Sequence, residues 1–405
     1  MIAAPASADR WRSFPADGLT PQRLAGILRA ADEGDLSEQL ALYEQMEEKD
    51  PHLYCVANTR RLAVTGLEWR IVSASEAHPE GAFDRALADA AAAHCRAVLG
   101  RIEDFDGVLS HLSLGLGRNI ALAELVWEYG PAGVTLAEIV PVEFERLAVG
   151  SDGELRILTR AEPRSGEGLM ADKFMVHRPN AASGAVGRGG LMRASALAYL
   201  GKQFALKDWL IFAEVFGMPV RVARYEPSAS AEEKRELLSM LRNLGADAAG
   251  IFSKAVELEI KQTRVPGDTN PYESLCHFFN RELSKAWLGQ TLTTDTARAV
   301  ANLSAADVHD RVRRDLRDAD LRAEARTIRR DLLSVLTRQR FGPGAEAPYF
   351  VRQSASAEES ARLGAALSVA VNELGARVPA GWAHTALGIP QAREGEAALS
   401  GKGTA

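Results

Sequence analysis

One stretch, His177 to Pro219, reads HRPNAASGAVGRGGLMRASALAYLGKQFALKDWLIFAEVFGMP and limits the possible folds more than any other part of the chain. A loop with four glycines turns abruptly apolar. Leu191, Ser195, Ala198, Ala205, Trp209, Phe212 and Phe216 then recur at spacings of three, four or seven, the period of an α-helix. Leu197, Leu200, Phe204, Ile211 and Val215 form a second stripe, so this helix must be covered on two sides. Gly217 and Pro219 end it, the first by permitting a left-handed cap and the second by lacking a donor. From Gly189 to Phe216 it would span roughly 42 Å, more than a small single-layer domain needs. It is a strut to which other elements attach.

The chain has 405 residues, 46% of them hydrophobic and 25% charged, enough for two or three domains with a large core. Aromatics are sparse at 6% and alanine is abundant, which favours close-packed helices over a sandwich of strands. With 48 basic and 54 acidic residues the net charge is -6. That argues against gripping nucleic acid through the overall field, though not against surrounding it. Cys55, Cys95 and Cys276 are far apart without a CxxC, so neither a disulfide framework nor a zinc site is signalled, and a reducing compartment fits. The start MIAAPASADRWRSF has no basic-then-apolar pattern, and no run approaches the ~18 apolar residues of a span. The expectation is a chain that is cytosolic when made and not inserted in a membrane.

Along the chain, residues 1–19 read as a flexible arm, and Thr20-Pro21 as a cap followed by proline at the first helical position. Helices are expected to Ala31, from Leu36 to Glu48 and from Pro51, the last running into the strand LEWRIVS. Asp84 should cap a helix from Arg85 to Leu99, with another near Phe105 to Leu116. IALAELVWEYG, TLAEIVPVEFERLAV, ELRILTR and DKFMVHRP alternate as strands. After the strut come a strand PVRVARYE, a capping box from Ser230 to Glu233 with its helix, and one or two strands in GIFSKAVELEI. Pro271 to Leu288 is a further helix, broken by GQTLTTDTA. Val308, Val312, Leu316, Leu321, Ala325, Ile328, Leu332 and Leu336 mark one long helix or two placed end to end. A strand near Tyr349, a helix closed by Gly375 and a last helix before Gly388 complete a mixed α+β, mostly helical chain.

Catalytic patterns are missing. No GxxxxGK[ST], GxSxG or HExxH occurs, and GAVGRGG misses the GxGxxG spacing, so it reads as a helix-entry turn. His177 reads as a structural histidine at a strand end. Asp307, Asp310, Asp315, Asp318 and Asp320 alternate with Arg311, Arg313, Arg314, Arg317 and Arg322, a pattern that reads as a solvated or intersubunit ion-pair face rather than a metal-binding row. Adjacent residues on a helix diverge, so His94-Cys95 and Cys276-His277 are not dyads.

The order of segments is more informative. GRGGLMRASALAYLGKQFALKDWLIFAEVFGMPVRVARYE, NLGADAAGIFSKAVELEI, NRELSKAWLGQTLTTD, VHDRVRRDLRDAD and WAHTALGIPQ together resemble the portal proteins of Mu-like tailed bacteriophages, with LGQTLTTD and FAEVFGMP the most specific pieces. DPHLYCVANTRRLAVTGLEWRI is similar to the early helix and strand of portals generally. The resemblance implies a portal-type fold with wing, two-helix stem, clip, tunnel loop and small crown. On this chain the parts are a wing over 20–187, a first stem helix over 188–216 and a clip over 217–265. A second stem helix over 266–288, a tunnel loop over 289–297, a long wing helix over 298–341, a crown over 342–390 and a tail over 391–405 follow.

The resemblance also implies a homo-oligomeric ring, commonly a dodecamer, at one capsid vertex of the virion and in the host cytoplasm during assembly. Implied partners are the terminase large subunit, major capsid and scaffold proteins, head-completion proteins, and double-stranded DNA passing through without sequence preference; no cofactor is implied. Gln290, Thr291, Thr293, Thr294 and Asp295 would then face the channel, Phe204, Trp209, Ile211 and Phe212 would form the ring interface of the stem, and Glu232, Glu233, Lys234 and Arg235 would dock partners at the clip. Two-sided apolar struts suit a closed ring, and a neutral or acidic channel lets DNA slide rather than stick. Two other readings stay open: an enzyme whose site is assembled from residues distant in sequence, and a helical interaction scaffold.

Overall fold

Caps written into the sequence set the first helices. In α1 (Pro21–Asp32) the Thr20 hydroxyl accepts from the Arg23 amide at 3.2 Å. Asp50 closes α2 (Ser37–Lys49) and opens α3 (Pro51–Thr65), its Oδ1 accepting from the amides of His52 and Leu53 at 2.9 and 3.1 Å. Asp84 and Asp104 do the same for α4 (Arg85–Leu99) and α5 (Phe105–Ser113). Each carboxylate satisfies amides that the first helical turn leaves without partners. The computed structural model describes residues 16–130, 133–179, 186–216, 220–224, 230–235, 257–261, 270–291, 303–352, 357–387 and 389.

The chain divides into two units, the first comprising Met1–Ala196 with Ser284–Ala405 and the second Leu197–Leu283. In the first, strands β2 (Ala121–Gly130), β3 (Gly133–Pro141) and β7 (Phe174–His177) form an antiparallel sheet in the order β3-β2-β7. One face of it, with Leu125, Leu136, Ile139 and Met175, packs on α4 and α5 in the main core. The other, with Leu122, Val142 and Phe174, covers a second cluster with Leu36 and Leu40. The stretch expected as one strand from Thr135 to Val149 is broken: β3 stops at Pro141, which has no amide to donate, and a single 3₁₀ turn leads into β4 (Leu147–Val149). Short strands β5 (Leu155–Ile157) and β6 (Glu167–Gly168) complete a small antiparallel sheet with β4.

Strand β1 (Trp69–Val72) pairs with β10 (Tyr349–Arg352), Ile71 opposite Phe350, so two segments far apart in the sequence meet in the first unit. The long helix is a single run: α8 (Leu303–Ile328), a π turn (Arg329–Leu333) and α9 (Ser334–Phe341). The wider turn keeps Ile328, Leu332, Leu333 and Leu336 in the core while sending the next two polar side chains elsewhere. Asp331 accepts the Val176 amide at 2.9 Å and Arg330 donates to the Val176 carbonyl at 2.8 Å. Together they blunt the outer edge of β7, which would otherwise offer unpaired backbone.

The second unit contains most of α6 (Leu191–Phe216), which begins in the first unit, the antiparallel pair β8 (Val220–Arg224) and β9 (Glu257–Lys261), a turn of helix over 231–235, and α7 (Pro271–Leu288) up to Leu283. Helices α6 and α7 approach closely at Gly201, where a Cβ would lie 2.3 Å from the Phe279 ring. Helices α10 (Ala357–Asn372) and α11 (Ala380–Leu387) follow β10 in sequence.

Candidate functional site

The glycine-rich entry to α6 is a packed turn. Gly189 and Gly190 take φ of 96° and 76°, and a Cβ on Gly190 would stand 2.3 Å from the Gly117 carbonyl, so both conformation and space demand glycine. Asn119 Nδ2 donates to the carbonyls of Val186 and Arg188, and Gln39 Nε2 to that of Gly187 at 3.0 Å. The segment is a helix-entry turn, as its sequence suggested, and its carbonyls accept from the protein donors Asn119 and Gln39.

A second anchor holds the end of α7. Trp287 is fully buried and its indole donates to Ser195 Oγ at 3.0 Å. His52 Nε2 lies 2.8 Å from Ser284 Oγ. Arg60 reaches in from α3, donating through Nη1 to the Trp287 carbonyl at 2.8 Å and through Nε and Nη2 to Asp320 at 2.9 and 3.1 Å. One buried guanidinium therefore ties α3, the last turn of α7 and α8 together, with its charge at the negative end of the α7 dipole. Gly289 then turns the chain at φ 67°, and a Cβ there would sit 2.9 Å from Val312 Cγ1.

This geometry changes the expectation for the segment after α7. Gln290 is only 5% exposed and Thr291 half-buried. The Gly289 turn brings the chain against α8, and in the single chain the Gln290 side chain lies under cover. Thr293, Thr294 and Asp295 lie outside the described residues.

The two stripes of α6 have opposite fates. In the second unit Ala205 is buried and Trp209 and Phe212 are half-buried, Phe212 packing against Tyr272 with ring centroids 5.6 Å apart and the rings tilted by 44°. On the other stripe Leu197 is 70%, Phe204 40% and Ile211 48% exposed, and among the described residues of that stripe only Leu200 is covered. Leu275 and Phe278 of α7 are exposed as well. The helix pair thus shows solvent an apolar face that the single chain does not cover.

Glu232, Glu233, Lys234 and Arg235 lie exposed on the 231–235 turn. The expected capping box is reciprocal: Ser230 N donates to Glu233 Oε2 at 2.7 Å and Glu233 N to Ser230 Oγ at 3.2 Å. These bonds hold the Glu233 carboxyl below the usual carboxylate range.

Buried charge elsewhere is structural. Arg352 is held by Glu324 at 2.7 and 3.0 Å and donates to the Leu67 carbonyl, while Glu47 accepts from Arg61 and, at 3.5 Å, from Arg118. The aspartate row of α8 was expected to form a solvated or intersubunit ion-pair face; Asp320 instead faces the interior, met by Arg60 of α3, and Glu324, one turn on, is met by Arg352 of β10. Glu324 carries no mark of its own in the sequence because a carboxylate counts as polar in any periodicity, although the four-residue spacing from Leu316 through Asp320 to Glu324 continues the inward series. His177 is buried, its Nδ1 3.0 Å from Thr327 Oγ1, and burial, with Arg330 and Arg326 nearby, pushes its imidazole down to about 4. Burial drives the Cys95 thiol up to about 11. No cluster of His, Cys, Asp or Glu able to hold a metal occurs among the described residues, and none of the described helices is long and apolar enough to cross a membrane.

Comparison with known proteins agrees with this architecture. The family model described as portal protein of Mu bacteriophage matches residues 40–389. The chain is 31% identical over 396 residues to the Mu-like prophage FluMu protein gp29 of Haemophilus influenzae, covering 96% of this chain and 74% of that protein. It is also 31% identical over 394 residues to the portal protein of Escherichia phage Mu, covering 94% and 73%. Among solved structures, a chain in the virion of a native gene transfer agent particle superposes with a TM-score of 0.56 at 12% identity over 92% of this chain and 95% of that one. A chain in the neck of the empty particle gives 0.56 at 14% identity over 85% and 91%; at such identities the likeness concerns the fold.

Proposed function

This chain belongs to the portal-protein family of Mu bacteriophage, and from that premise we propose that it assembles into a closed ring at one capsid vertex and there serves as the conduit for DNA. The observation that carries the proposal is the uncovered stripe of Leu197, Phe204 and Ile211 on α6. A face of that kind on a 26-residue helix calls for a partner, and a head-to-tail contact repeated around an axis closes into a ring. Residues 188–216 and 266–288 are the two stem helices, 20–187 and 298–341 the wing, 217–265 the clip, 289–297 the tunnel loop and 342–390 the crown. The role is structural, without catalysis of its own.

The clip, through Glu232, Glu233, Lys234 and Arg235, is where the terminase large subunit and later the head-completion proteins dock. Capsid and scaffold proteins meet the ring in the virion vertex. With Gln290 turned inward, the channel contacts of the tunnel loop fall to Thr291, Thr293, Thr294 and Asp295, whose uncharged or acidic groups would let phosphates pass. Electron microscopy and mass measurement on the purified protein test the ring. The wild type should give rings with a central hole, and Phe204→Asp/Ile211→Asp should give folded protomers that do not close. Rings of normal size from the double variant would remove the assigned interface.

A further inference from the structure

The long helix sorts its charges by face. From Ala319 in α8 to Arg330 in the π turn it carries two acids, Asp320 and Glu324, and both are buried against Arg60 and Arg352. The cations of the same stretch go the other way. Arg322, Arg326 and Arg330 are exposed, and only Arg329 turns aside, to Glu346 at 2.6 Å. Since arginines from α3 and β10 already neutralise the inward acids, none of that negative charge is left to offset the outer face.

The three exposed arginines stand four residues apart, so they share one side of the helix and span about 12 Å along its axis. Arg322 and Arg326 make no hydrogen bond or ion pair with the described residues. Arg330 is braced on the Val176 carbonyl and on Asp331, yet its side chain stays 63% exposed while that of Asp331 is 14% exposed. Strand β7 lies alongside, where, after burial itself, Arg330 and Arg326 hold the His177 imidazole down. Like charges at this spacing on a helix repel, so the row costs the free protomer stability that an anion would restore. In a chain of net charge -6 it is a local reversal of the overall field.

We infer that this stripe holds the phosphate backbone of double-stranded DNA against the first unit, its guanidinium groups meeting successive phosphates. A single carboxylate or a free phosphate would meet one arginine and leave the others, whereas a line of phosphates meets all three. Arginine at every position suits forked donation to phosphate oxygens. No Asn or Gln stands between Ala319 and Arg330 to read a base edge, so the contact is independent of sequence. The choice of DNA as the polyanion rests on the function proposed above, and the stripe lies outside the segment assigned there to the channel.

Fluorescence anisotropy of a short labelled duplex with the full chain tests it. Wild-type binding should weaken steeply as salt rises. Arg322→Gln/Arg326→Gln should bind about tenfold more weakly at low salt and flatten the log–log salt slope by about two for each protomer engaged, one counterion per arginine lost. Its circular dichroism and self-association should stay as in the wild type. Arg160→Gln/Arg164→Gln, which removes the same charge from two exposed arginines elsewhere in the first unit, should change neither affinity nor slope appreciably. No binding by the wild type, or equal losses in the two variants, overturns the proposal. So does a stripe variant that stops self-associating while still binding the duplex, since the face would then be a contact between copies. Displacement of the duplex by millimolar inorganic phosphate at constant ionic strength overturns it too, because the arginines would then be taking single anions. Stripe-dependent binding by a chain that forms no rings keeps the stripe and removes the ring; rings whose binding ignores the stripe do the opposite.

Discussion

Replacing Arg60 with Met tests the anchor at the end of α7 most directly. The guanidinium is buried, as is its partner Asp320, with side chains only 9% and 5% exposed, and it gives three hydrogen bonds, two to the carboxylate and one to the Trp287 carbonyl. Methionine fills much of the same volume but leaves the Asp320 charge without a counterion, which costs about 3–5 kcal/mol for a buried pair broken on one side. The orphaned Trp287 carbonyl adds about 1 kcal/mol. The expected loss is therefore about 4–6 kcal/mol, a large share of the roughly 5–15 kcal/mol that holds a domain together. Urea unfolding followed by tryptophan fluorescence, to which the buried Trp287 contributes, measures it. The control is Arg60→Met/Asp320→Leu, which removes both charges and should recover most of the loss, because a buried ion pair replaced by apolar groups of similar size is close to neutral. A single variant that loses less than about 1 kcal/mol would mean the pair is hydrated. A double variant no better than the single would assign the loss to packing instead.

Three other outcomes follow from local geometry. His177 is held neutral in the fold with its pKa moved from 6.5 to about 4, so the unfolded chain binds the extra proton between those values; its contribution is fully present above pH 6.5 and declines by about 3 kcal/mol as pH falls to 4. His177→Gln should flatten that part of a stability-against-pH curve, and an unchanged slope would refute the assignment. Gly289→Ala forces a side chain into the left-handed region and within 2.9 Å of Val312 Cγ1; a loss of about 1–3 kcal/mol is expected in thermal unfolding, and a variant as stable as wild type would show that the turn relaxes easily. Finally, Phe212→Asp and Ile211→Asp should part company although they are neighbours: Phe212 packs on Tyr272, so its loss should unfold the second unit, whereas Ile211, half in solvent already, should yield a protomer with normal circular dichroism that fails to assemble.

Local features were legible in the sequence because their energy is local. Thr20-Pro21, Asp50-Pro51, Asp84 and the Ser230–Glu233 box cap where they stand, since a cap needs only the first turn after it. Helices α6 and α7 run over the residues whose period announced them, and the resemblance carried by LGQTLTTD and FAEVFGMP led to the family. What the tertiary structure alone decided is the partner of each surface. Periodicity marked two apolar stripes on α6, yet only packing turned Phe212 inward toward Tyr272 and left Phe204 and Ile211 outside. Asp320 read as part of a solvated or intersubunit face, and nothing marked Glu324, because a carboxylate is buried only where a cation meets it, and Arg60 and Arg352 arrive from α3 and β10, far away in sequence. Gln290 read as loop surface, and one left-handed glycine sent it under cover. The β1–β10 pairing and the π turn that closes the β7 edge have the same origin, since they satisfy backbone groups whose partners the chain supplies only after it has folded back on itself.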